Sequence, residues 1–187
     1  MPEPVRKRAG YEDLFGLPEN MVGEIIDGEL LAAPRPSRKH TVAASRMGGE
    51  IIPPFDFGRG DGPGGWVIIL EPEIAFADDI LVPDLAGWKK ERFPVEEPHN
   101  WISVAPDWVC EVLSPASARR DRADKMPIYA RHQVGHLWLL DPGLQTLEIY
   151  ALEQGRWVLA GVHAGSARVR AEPFTELELD LGLLWLE

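Results

Sequence analysis

A single cysteine, Cys110, stands in a chain of 187 residues. No intrachain disulfide can form and a four-cysteine zinc site is excluded, so a reducing compartment fits. No apolar run approaches the roughly 18–20 residues that span a bilayer. The N-terminus, with Arg6-Lys7-Arg8, is basic but has no apolar stretch behind it, so a secretory signal is not expected. Positive charge is also scarce: 19 Lys and Arg face 30 Asp and Glu, a formal net charge of −11. That balance argues against a protein that coats nucleic acid non-specifically, because phosphate binding needs cations. Short basic clusters remain at Arg6–Arg8, Arg35–His40, Lys89–Arg92 and Arg119–Arg122. They read either as solvated surface or as a local groove. Repeats and low-complexity linkers are absent too.

The residues that are present describe one globular domain. Hydrophobic residues make up 45% and charged residues 26%, the mixture of a chain with a sizeable core. We expect a single domain over 1–187, with residues 1–10 a flexible N-terminal tail, and a cytoplasmic protein.

Local patterns predict mixed α/β structure. Tyr11 to Leu17 reads as a short helix ended by Pro18. Asp27-Gly28 supplies the turn of a hairpin between apolar strands. His40 to Ile52 reads as a helix stopped by Pro53-Pro54. Strands are expected at Trp66–Leu70, Glu73–Ala77 and Ile80–Trp88, before a proline-marked excursion to Pro106. Trp108 to Leu113 is nearly all apolar, as in a buried central strand. A helix over Ala118–His132, bent at Pro127, then leads to a strand at His136–Asp141 and a meander with Gly155 in its turn. This order predicts a mixed central sheet flanked by helices.

Glu111 breaks the apolar run, and Asp84 follows Pro83 inside a strand or at its end. A carboxylate among apolar neighbours costs several kcal/mol unless it is paired, protonated or bound to a cation. Two carboxylates on adjacent strands can hold a hard divalent ion through oxygen. Such an ion acidifies a bound water and neutralises charge on a phosphate. Lys125, on the next helix, is a candidate to orient the nucleophile. The same residues also allow a structural reading: Glu111 paired with Arg119 or Arg122, Asp84 capping a turn, Lys125 paired with Asp121 at i−4 on the surface.

Pro83-Asp84, Glu111 and a following lysine resemble the pattern of the PD-(D/E)XK nuclease superfamily. The closer resemblance is to the family of small bacterial proteins described as “putative restriction endonuclease”. It rests on Glu24–Glu29, the loop ending in His40, Leu81–Asp84, Pro106–Pro115, Arg120–Ala130 and Leu137–Pro142, and so runs over nearly the whole chain. The Glu-Val-Leu-Ser-Pro segment followed by Asp and Lys is its most specific part. One departure stands out: the lysine of the superfamily's E-x-K would fall at position 113, which is Leu113, and Lys125 matches instead.

The resemblance implies a restriction-endonuclease-like fold and a magnesium- or manganese-dependent endonuclease acting on DNA, with a homodimer suited to two-fold DNA. It implies Asp84 and Glu111 as metal ligands with the Val112 carbonyl as a third, Lys125 as the catalytic lysine, and Glu24 and His40 near the pocket. Glu73 is a further candidate acid on a neighbouring strand, and His40 alternatively only bonds locally at a helix start. Two other readings stay open: a nuclease fold kept as a binding or regulatory module without turnover, and a metal-dependent hydrolase of a small phosphate ester. The tryptophans read as core, with Trp88, beside Lys89-Lys90, the best candidate for base stacking.

Overall fold

The computed structural model describes residues 8–186. The expected N-terminal tail lies mostly outside them. Of its last three residues, Ala9 N donates to Gly28 O at 2.8 Å and Arg8 pairs with Asp78 at 3.2 Å. Helix α1 (Tyr11–Leu14) precedes the hairpin β1 (Met21–Ile26) and β2 (Glu29–Pro34). Asp27 and Gly28 between them have φ of 53° and 80°, both in the region a tight primed turn demands.

Helix α2 (Arg38–Phe55) starts at Ser37, whose side chain accepts from His40 N. It does not stop before Pro53-Pro54 as expected; both prolines lie inside its last turn. Their carbonyls are taken up by the following loop, from Arg59 N and Gly64 N. Neither proline has an N–H to give back along the helix, and the helix ends at Phe55, immediately after the pair.

Strands β3 (Trp66–Leu70), β4 (Ile74–Phe76), β5 (Asp79–Leu81) and β6 (Leu85–Lys89) follow. The single strand expected over Ile80–Trp88 is two strands, interrupted at Val82-Pro83-Asp84. Strand β5 belongs to a four-stranded sheet ordered β2-β1-β5-β4, and β6 to the central sheet. Pro83 cannot donate to a ladder, so the chain changes sheet there. After a long excursion come β7 (Trp108–Val112), α3 (Ala118–Arg120), a π turn (Asp121–Lys125) and α4 (Met126–Arg131). Then follow β8 (His136–Asp141), β9 (Thr146–Glu153), β10 (Arg156–Ala164), β11 (Arg168–Val169) and β12 (Leu179–Asp180).

The central sheet has six strands ordered β10-β9-β8-β7-β6-β3. Strands β7 and β8 are parallel, joined across the helical segment, and the other neighbours are antiparallel. This is the expected mixed α+β architecture with a mixed central sheet. Trp108, Cys110 and Val112 pack toward α2 and the C-terminal segment, and Val109 and Leu113 toward α4. Glu111 shares the second face by the two-residue period of a strand. Trp88 is fully buried with its ring against Phe93, so it is core and offers no stacking surface for a base. Among the described residues, no helix is long and apolar enough to cross a membrane.

In the core Trp138 packs edge-on against Trp108 and Phe174, and its indole N–H donates to Glu172 O at 2.8 Å. Trp138→Ala should cost about 3–5 kcal/mol of stability, from lost burial and a residual cavity. Chemical denaturation measures this, and a loss below 1 kcal/mol would mean that this region repacks freely.

Candidate active site

One cavity of about 470 Å³ opens where β1, the start of α2, the β5–β6 connection, β7 and the helical segment meet. Glu24, His40, Asp84, Glu111, Val112, Arg120, Asp121 and Lys125 all line it. Five stretches of chain therefore deliver their polar side chains to one place.

Asp84 stands just before β6. The register Leu85↔Cys110 and Ala86↔Val109, continued one step, sets Asp84 opposite Glu111. Its Oδ2 accepts from Val112 N at 2.7 Å and its Oδ1 lies 3.2 Å from His40 Nε2. Burial alone would lower the His40 pKa, but the hydrogen bond and charge of Asp84 outweigh it and raise it, helped by the Val112 backbone.

Glu111 is only 2% exposed. Its Oε1 takes a hydrogen bond from the Tyr129 hydroxyl and lies 2.7 Å from Lys125 Nζ. Burial pushes its carboxyl well above the usual range; Lys125 opposes this, while Asp121, Asp84 and Glu24 add to it.

Lys125 is 3% exposed. It does not lie in solvent beside Asp121 but turns inward with it, 3.0 Å from Glu24 Oε1 and 3.7 Å from Asp121 Oδ1. Burial favours its neutral form, yet Glu111 and Glu24 reverse that and hold the ammonium well above its ordinary pKa. Asp121 is also buried, which raises its carboxyl, with Lys125 opposing.

The helical segment explains this facing. Pro127 has no N–H to donate, and the turn before it widens so that Met126 N bonds to Asp121 O, an i→i−5 bond. Asp121, Lys125 and Tyr129, spaced four apart, then form one inward stripe. Glu24 Oε1 also accepts from Val82 N at 2.9 Å, tying the β5–β6 connection to β1, and its Oε2 lies 3.6 Å from Arg120.

Of the residues proposed from sequence, Asp84, Glu111, Lys125, Val112, Glu24 and His40 come together. Glu73 does not line the cavity, and its carboxylate accepts from the Tyr11 hydroxyl. Arg119 and Arg122 are not the partners of Glu111; Arg122 pairs with Glu148. The sequence reading missed Asp121, Arg120 and Tyr129 as site residues. The four-residue spacing of Asp121, Lys125 and Tyr129 was the available signal.

The donor set fits a divalent cation by its chemistry. Four carboxylates, Glu24, Asp84, Glu111 and Asp121, line the cavity beside Arg35, Arg120, Lys125 and His40, and carboxylate oxygens are the donors a hard divalent cation takes. Among the described residues, no three His, Cys, Asp or Glu side chains form a ready-made metal cage.

Comparison with known proteins gives this cavity its context. No curated protein matches the chain. A crystal structure titled “putative nuclease belonging to DUF820”, from Anabaena variabilis ATCC 29413, is similar at 27% identity with a TM-score of 0.75. The match covers 94% of this chain and 97% of that one. Residues 11–182 match the model of the Uma2 family, described as “Putative restriction endonuclease”. In this chain Asp84, Glu111 and Lys125 line one cavity, and by the match over residues 11–182 the chain belongs to the Uma2 family.

Proposed function

We propose that this protein is a divalent-metal-dependent nuclease that hydrolyses phosphodiester bonds in DNA. The observation that carries the reading is the convergence of Asp84, Glu111 and Lys125 in one cavity of a chain with this family's fold. The nuclease title of the similar structure supports it as well. A magnesium or manganese ion held by Asp84, Glu111 and the Val112 carbonyl would supply positive charge against the phosphate and acidify a water.

The chain's own residues would do the rest. Lys125 keeps its proton at Nζ and donates hydrogen bonds to the attacking water or to a non-bridging phosphate oxygen, stabilising charge as it develops. Glu24 and Glu111 aim that ammonium. Arg35 and Arg120 line the cavity, and the N-terminus of α2 opens on it at Ser37 and His40. These are the groups that would position phosphate on an otherwise acidic molecule. The reading includes a cytoplasmic homodimer, so that two cavities meet two strands; sedimentation at working concentration tests that part.

Plasmid DNA and a small phosphodiester, each incubated with magnesium, manganese or chelator, test the function. Metal-dependent nicking of the plasmid is expected. Cleavage of the small ester alone would identify a phosphate-ester hydrolase instead. Saturable ion binding without any turnover would identify a binding module.

A further inference from the structure

The two oxygens of Glu111 are not equivalent. Both Lys125 Nζ and the Tyr129 hydroxyl converge on Oε1. Among the described residues, no hydrogen bond or ion pair engages Oε2. Tyr129 is itself fixed: it is fully buried, its ring packs edge-on against Phe76, and α4 holds its backbone. Its hydroxyl is a neutral donor, since burial and Glu111 both push the phenol well above its usual pKa. A buried phenol needs a partner, and a carboxylate that accepts from two fixed donors through one oxygen loses its freedom to rotate.

We propose that Tyr129 is a positioning residue that, with Lys125, clamps Oε1 of Glu111 and so dedicates Oε2 to a divalent cation. The inference rests on the metal-dependent reading above and adds a role that reading does not need. Lys125 by itself is a single donor to one oxygen, so it cannot fix the carboxylate plane. Tyr129, anchored at its ring and its backbone, can. Groups that orient a metal's ligands in this way typically change ion affinity by about 10–100-fold when removed.

The test is Tyr129→Phe, which keeps the ring in the core and deletes only the hydroxyl. Manganese binding, followed by the spin-resonance signal of the free ion, should weaken about tenfold. A structural role would lower the melting temperature and leave the ion affinity of the folded protein unchanged. Equal affinity in Tyr129→Phe and the native protein would overturn the assignment and leave the metal-dependent reading intact. No manganese binding by the native protein would overturn both. Should Tyr129→Phe fail to fold, Tyr11→Phe with Tyr150→Phe leaves Tyr129 as the sole tyrosine of three. Titrating that protein with magnesium should perturb the tyrosine absorbance, and a flat difference spectrum across saturation would overturn the proposal.

Discussion

Glu111→Gln should abolish metal-dependent cleavage while leaving the fold intact or slightly more stable. The activity loss should reach about a thousandfold, which corresponds to roughly 4 kcal/mol of lost charge stabilisation at the phosphate. Glutamine keeps the shape and an acceptor for Tyr129 and Lys125. It removes a charge that burial and the neighbouring Asp121, Asp84 and Glu24 disfavour. Because the carboxyl is raised in the folded state, neutralising it at pH 7 costs little and relieves repulsion. Glu111→Ala is a poorer probe. It leaves the buried Tyr129 hydroxyl without its acceptor, at about 1–3 kcal/mol, beside a new void. Plasmid nicking and a thermal melt on Glu111→Gln measure both halves. A melt many degrees lower with cleavage retained would make Glu111 a structural ion-pair member only.

Lys125→Met should remove most turnover and also destabilise the ion-free protein. The sequence alone predicted only the first effect. The ammonium is the cation shared by Glu24, Glu111 and Asp121, so removing it strands buried carboxylates. Breaking a buried pair in this way costs about 3–5 kcal/mol, and proton uptake by Glu111 offsets part of it. Ion affinity should stay within a few-fold, because lysine is not a ligand, Tyr129 still holds Oε1 of Glu111, and relief of the ammonium's repulsion of a second cation offsets the lost clamp donor. Added magnesium should therefore recover part of the lost melting temperature without recovering activity. Calorimetric titration, a melt with and without magnesium, and a cleavage assay decide it. Native turnover in Lys125→Met would remove the lysine from the mechanism, and lost magnesium binding would make it part of the ion site.

Much of this architecture was legible in local pattern. The Asp27-Gly28 turn, the apolar run of β7 and the strand at 136–141 declare themselves because turn chemistry and burial on both faces leave marks on neighbouring residues. Glu111 was visible for the same reason, as one charge in an apolar strand. The interruption at Pro83 was less so. The segment 80–88 is apolar apart from Asp84, and only the pairing of β5 with β1 and of β6 with β7 shows that it serves two sheets.

The sequence by itself determined which residue types are available to the site and that Asp121, Lys125 and Tyr129 share a helix face. Only the tertiary structure decided that this face looks inward. The period of a helix is local, but its orientation is set by what it packs against, here β7 just before it and β1 far back along the chain. That packing turned a surface ion pair, Asp121 with Lys125, into part of a buried cluster. It also excluded Glu73, whose strand neighbours put it beside Tyr11 rather than in the cavity. Charge placement in a core is a sum over non-local contacts, and no window of sequence contains that sum.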